Sequence, residues 1–148
     1  LETVKKLRWV PDIIHCQGWM TSVVPFYIKT AYHDEPSFAN TKVVTSLFAN
    51  SLQNGLDPNF KHCLEFRDAT AELLTPYNDQ FDFNEMGKLA IDYSDGIVEA
   101  VKGVNQDLLS YANEKNIPVL TLKENSTDHI SAFYDTICLD AAPESEDE

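Results

Sequence analysis

Val4 and Leu7 fall on one face of the opening stretch LETVKKLRW, a spacing that reads as the end of a helix. Pro11 closes it, and Asp12 to His15 (DIIH) follows as a short apolar strand. From Met20 the apolar positions recur at Val23, Val24, Tyr27, Ile28 and Ala31, one face of a helix. Pro25 has no N–H to give to residue 21, so this helix starts near Thr21 or is kinked at the proline. Lys42 to Leu47 (KVVTSL) reads as a second strand, β-branched and continuously apolar at its centre. Asn54-Gly55 marks a turn, and Asp57-Pro58 has the form of an N-cap with proline at the first helical position. It predicts a short helix through Phe60, Cys63 and Leu64. Residues 67 to 82 carry only weak periodicity. Met86, Leu89, Ala90 and Tyr93 predict a helix ended by Ser94-Asp95-Gly96, and Ile97 to Val101 a third strand. Val104, Leu108, Tyr111 and Ala112 predict a helix stopping near Asn116, and Pro118 to Leu122 (PVLTL) a fourth strand. Ile130, Phe133, Tyr134, Ile137 and Cys138 define the last helix, capped from Ser126 or Thr127.

Strands alternate with helices, and the strands are apolar on both faces. That pattern belongs to a parallel sheet covered on both sides, a doubly wound α/β domain. The stripe of Tyr27, Phe133 and Tyr134 at helical spacing is expected in the core. The 148 residues, 43% hydrophobic and 11% aromatic, suit one globular domain over residues 1–140. Residues 141–148 (APESEDE and its preceding alanine) are expected to be a disordered acidic tail. No apolar run approaches the roughly 20 residues that span a bilayer. The stretch LETVKKLRW is amphipathic and lacks the long apolar segment of a secretory leader, so none is expected there, and Leu1 is not an initiator methionine. The chain is therefore expected to begin inside a helix, as part of a longer protein.

The net charge of −13 argues against nucleic acid or an anionic membrane as partner. It also weighs against a nucleotide diphosphate unless a few bases are focused in one cleft. Cys16, Cys63 and Cys138 are odd in number and widely spaced, which points to a reducing, cytoplasmic compartment without disulfides. His62-Cys63 has no second pair at ligand spacing, so neither a metal nor a cofactor is expected. Lys5, Lys6 and Lys29 read as solvated helix residues.

The candidate chemistry sits in PDIIHCQGWMT, residues 11 to 21. In open α/β sheets ligands bind beyond the carboxyl ends of the strands, and His15 to Thr21 occupy such a place. A helix N-terminus offers free N–H groups to an anion. The imidazole of His15, the carboxamide of Gln17 and the indole of Trp19 suit a sugar, with hydrogen bonds for its hydroxyls and an aromatic face for its C–H side. The plainer alternative is a loop in which His15 is hydrogen-bonded locally and Trp19 packs at the strand–helix corner. A cysteine nucleophile at His15-Cys16 is disfavoured, because consecutive strand residues point to opposite faces.

PDIIHCQGWMTSVVPFYIK resembles the segment of bacterial glycogen synthases and plant starch synthases that reads PD-x-x-H-x-H-D-W followed by T-x-x-x-P. KLAIDYSDGIVEAVKGVNQDLL (Lys88 to Leu109) is similar to the same family's helix–strand–helix segment around Y-A-D and T-V-S. Lys42 to Ser46 falls at the family's strand that leads to a histidine-asparagine pair. The resemblance covers about residues 1 to 117, in order, and extends to the short synthase-like proteins of Bacteroides and relatives. It implies a Rossmann-like half of a two-domain GT-B glycosyltransferase, incomplete at its N-terminus. It also implies glucosyl transfer from ADP-glucose to an α-1,4-glucan without a metal, with His15, Gln17, Gly18 and Trp19 at the substrate-binding positions.

Several positions depart from the family pattern. His15 and Trp19 match its first histidine and its tryptophan, but Gln17 stands where the second histidine faces the transferred glucose, and Gly18 replaces the aspartate. Leu47-Phe48 replaces the histidine-asparagine pair, or the pair is displaced out of register. The family's lysine-glycine-glycine loop would precede Leu1, and its basic second domain would follow. The expectation is a synthase-like fragment with no catalytic residue of its own and no turnover as an isolated chain. The alternative is a degenerate, non-catalytic domain that binds glucan or protein. A homo-oligomer, or a separate chain supplying further elements, is the expected partner.

Overall fold

The computed structural model describes residues 1–49, 55–122 and 127–139. Asn54 of the turn, Ser126 of the helix cap and the tail 141–148 lie outside the described residues. The elements are α1 (Glu2–Lys6), β1 (Ile13–Gln17), α2 (Val24–Lys29), β2 (Lys42–Leu47), α3 (Ala71–Leu74), α4 (Phe83–Asp92), β3 (Gly96–Glu99), α5 (Gln106–Glu114), β4 (Val119–Thr121) and α6 (Thr127–Leu139). Short 3-10 helices at Trp19–Thr21 and Phe60–Leu64 complete them.

The four strands are parallel and follow chain order, β1-β2-β3-β4. Right-handed crossovers between neighbours in chain order place their helices on one face of the sheet. On that face Cys16 and Val43 join Phe26, Ile28, Met86 and Leu89 in one buried cluster. Leu47 and Ile97 join Ile91, Leu108 and Ala112 in another. The alternate strand positions, His15, Val44, Ser46, Gly96 and Val98, project to the opposite face. Helix α6 covers that face: a Cβ built at Gly96 would stand 2.8 Å from Ile137 Cδ1 and 3.0 Å from the Phe133 ring. Both faces are covered, as a doubly wound sheet requires, and β1 is an outer strand.

Local chemistry sets the boundaries. Asp82 Oδ1 accepts the Glu85 N–H at 2.9 Å and opens α4, while Asn105 Oδ1 accepts the Asp107 N–H at 2.9 Å and opens α5. Asn116, at φ +57, ends α5 where the sequence pattern stops it. Asp95 ties the turn after α4 to β2: its carboxylate accepts the Val43 N–H at 2.7 Å and meets Lys29 Nζ at 2.8 Å. Lys29 is thus paired, not a freely solvated lysine. Lys5 likewise pairs with Glu35, and Tyr32 donates to Glu2 at 2.7 Å, which together dock α1.

Several elements differ from the sequence pattern for physical reasons. β1 runs on to Gln17, two residues beyond its apolar run, because Cys16 and Gln17 still pair with Thr45 and Ser46 of β2. The helix read from Met20 divides into the 3-10 turn at Trp19–Thr21 and α2, with Pro25 in the first turn of α2, where no N–H is needed. Met20 therefore faces solvent, 76% exposed, rather than the core. β3 starts at Gly96, which pairs with Val44, and Ala100 and Val101 leave the sheet. Tyr27, Phe133 and Tyr134 are half-buried and Cys138 is exposed, so Ile137 alone of the α6 stripe is fully buried. The weakly periodic stretch folds as α3 and turns that bury Ala69, Leu74, Tyr77 and Phe81. No helix among the described residues is long and apolar enough to cross a membrane.

Candidate functional site

His15 is the middle residue of β1, and its imidazole stands over the α6 side of the sheet. Nε2 lies 2.7 Å from Ser46 Oγ and Nδ1 lies 2.5 Å from Tyr134 Oη. The Tyr134 ring meets the imidazole edge-on, with centroids 5.7 Å apart. Burial pushes the His15 pKa below its ordinary value. In the neutral ring one nitrogen donates and the other accepts, and either hydroxyl can take the matching role. Local hydrogen bonding, the plainer alternative, is what His15 makes here.

Cys16 points the other way, 3% exposed in the α2 side of the core, and burial pushes its thiol up to about 11. That excludes a thiolate nucleophile at ordinary pH. Gln17, the last residue of β1, is exposed and shares the face of His15. Gly18 follows at φ +82 and ψ 155, a conformation open only to glycine, and it turns the chain out of the strand. Its carbonyl accepts the Thr21 N–H at 3.1 Å and the Thr21 hydroxyl at 2.9 Å, closing the 3-10 turn. Trp19, 38% exposed, lies on that turn. With Ser22, Leu47, Phe48 and Phe83 it lines a small niche at the carboxyl ends of β1 and β2.

The structure places His15 at the middle of β1 and Gln17 at its end on one face, and Gly18 and Trp19 in the turn that follows, with Trp19 in a niche beside Leu47, whose side chain belongs to the opposite face. It adds Ser46 and Tyr134, which the sequence reading did not place there. Ser46 carries a signal in retrospect, a polar residue inside an apolar strand; Tyr134, 119 residues from His15, carries none. A wider cleft, about 580 Å³, lies at the other end of the sheet, near the turn from α4 into β3. There Asp92 accepts from Tyr77 at 2.6 Å and from Tyr111 at 2.9 Å and faces Lys115 at 3.4 Å, so its polar groups satisfy one another. Among the described residues no three His, Cys, Asp or Glu side chains are grouped to hold a metal.

A four-stranded parallel sheet with helices on both faces, carrying a polar and aromatic loop at the carboxyl end of its first strand, is one Rossmann-like half of a GT-B glycosyltransferase. The model of the starch synthase catalytic domain matches residues 1–117, and the chain belongs to that family. A glycogen synthase of Clostridium perfringens is 47% identical over 47 residues, 32% of this chain and 10% of that protein. One of Thermotoga maritima is 38% identical over 60 residues, 40% of this chain and 12% of that protein. One of Chlorobium luteolum is 41% identical over 58 residues, 39% of this chain and 12% of that protein. The chain spans only about a tenth of the length of these curated relatives. No solved structure gives a significant match. All of β4 and all of α6 lie beyond the matched residues.

Proposed function

We propose that this chain is the sugar-facing part of a glycogen or starch synthase-type glucosyltransferase domain, in a cytoplasmic protein, and that by itself it does not transfer glucose from ADP-glucose. The observation that carries this reading is the state of His15. Both nitrogens of its imidazole are engaged by hydroxyls, so its one N–H is already donated, and burial disfavours the cation that would face a departing diphosphate. Gln17 beside it hydrogen-bonds a sugar hydroxyl but never becomes a cation. Among the described residues, Lys5, Lys29, Lys61, Lys88 and Lys115 each face a carboxylate. What remains is a wall with a carboxamide and a partly exposed indole, suited to an α-glucan.

A radiolabelled transfer assay with ADP-glucose and glycogen, run beside maltooligosaccharide titrations, tests this reading. Weak glucan binding without turnover is the expected result. Robust transfer by the isolated chain, abolished by Gln17→Ala, would overturn it. The second reading, a degenerate domain that binds protein, is favoured by one feature: Leu7, Trp9 and Val10 are each at least 60% exposed on the approach to the outer strand β1. A concentration-dependent self-association, or capture of a separate chain along that edge, would support it.

A further inference from the structure

Helix α6 lies beyond the family-matched residues, yet it covers the sheet face onto which His15 and Ser46 project. Its hold on that face is slight. Ile137 is its one buried residue, Phe133 and Tyr134 are half-buried, and most of its other side chains face solvent. Gly96 makes the docking possible, because any side chain there would meet Ile137 and Phe133 at 2.8 to 3.1 Å. Once docked, the helix delivers the Tyr134 hydroxyl to His15 Nδ1. A hydroxyl on an imidazole nitrogen is also what an incoming sugar would present.

We propose that α6 is a self-docked cover of the His15 site, in which the Tyr134 hydroxyl occupies the nitrogen that a polyhydroxylated ligand would use. Docking of the helix and binding of such a ligand at His15 then exclude each other. The identity of the ligand as glucan rests on the function proposed above, whereas the cover rests on the packing alone. A ligand opens the site only by its preference for the undocked chain, and coupling of this kind is typically about 5- to 150-fold in affinity.

Two variants of the full chain test it. Ile137→Asp places a carboxylate in the buried position against Gly96 and dislodges the helix. Tyr134→Phe keeps the packing and removes only the hydroxyl. Diethylpyrocarbonate modifies a free, neutral imidazole nitrogen, and mass spectrometry reads each histidine separately. His62, whose side chain is 78% exposed, serves as the internal reference. In the unaltered chain His15 should react about tenfold or more slower than His62, as a closed site does relative to an open one. Tyr134→Phe should raise the His15 rate and Ile137→Asp should raise it further, with the far-ultraviolet dichroism of the sheet retained. A His15 rate equal to that of His62 from the start, or unmoved by both variants, overturns the cover. Calorimetric titration with maltoheptaose separates the two claims. Tighter binding by the variants supports competition, and equal measurable binding by all three chains overturns it. Exposure of His15 without maltoheptaose binding by any chain leaves the cover standing and defeats the glucan reading.

Discussion

Ser46 and His15 are joined across neighbouring strands, Oγ to Nε2 at 2.7 Å, although neither is the other's register partner. His15 pairs with Val44 and Ser46 pairs with Gln17, so the side chains meet on the diagonal of the β1–β2 ladder. The serine is buried at 6% exposure in a strand whose other residues after Lys42 are Val43, Val44, Thr45 and Leu47. Ser46→Ala removes the partner and leaves a half-buried ring nitrogen unsatisfied. The expected loss is about 1–3 kcal/mol in urea denaturation. A loss below about 0.5 kcal/mol, the scatter of an ordinary surface substitution, would mean that the bond is not made in solution.

The burial of the same ring predicts a pH dependence. His15 has its pKa lowered from 6.5 by burial, so between the folded value and 6.5 the unfolded chain binds more protons than the folded one. Unfolding is therefore favoured as pH falls through that window. The contribution of the neutral ring is complete above 6.5 and is lost toward the folded pKa. Urea midpoints measured across this range should fall more steeply for the unaltered chain than for His15→Gln, which cannot titrate. Equal slopes, or a His15 pKa above the ordinary value by NMR titration, would contradict the buried neutral ring.

Thiol reactivity gives an independent check on the orientation of β1. Cys63 and Cys138 are exposed, while Cys16 is buried with its pKa pushed up to about 11. At about pH 8 a disulfide-exchange reagent should titrate two thiols quickly and the third only on unfolding, since the thiolate is the reactive species. Rapid reaction of all three would place Cys16 on the wrong face and, by alternation, move His15 away from α6.

The fold was legible because the strand KVVTSL and the helix around Met86, Leu89 and Ala90 carry unbroken patterns, and burial in a two-faced sheet demands them. Boundaries failed where one residue overrides the pattern. The conformation of Gly18 starts a new turn before Met20, and the open position at Gly96 belongs to the strand because α6 packs directly on it. At the site, the sequence places His15 and Gln17 on one face of β1 by alternation and Gly18 and Trp19 in the turn after it, and that much could be read directly. The Tyr134 contact could not be. It depends on α6 returning to a face that no local pattern specifies, and a tyrosine at helical spacing looks the same whether it fills a core or reaches an imidazole.

Gly18 provides the sharpest test of the loop itself. A Cβ at this position would meet nothing within 4 Å, so Gly18→Ala introduces no clash. The cost comes from the backbone alone, because φ +82 with ψ 155 is closed to a residue with a side chain. Holding alanine there is expected to cost about 1–3 kcal/mol, or the loop rearranges to avoid it. Rearrangement would carry Trp19 with it, since the Thr21 N–H and hydroxyl both hang on the Gly18 carbonyl. The readout is therefore double: a lower urea midpoint, and an altered environment for Trp19, followed by fluorescence with Trp9→Phe as the background so that a single indole reports. Full stability with an unchanged Trp19 signal would show that this glycine does not hold the extended left-handed conformation. The loop at the carboxyl end of β1 would then have to be rebuilt around a different turn, and the positions of Gln17 and Trp19 with it.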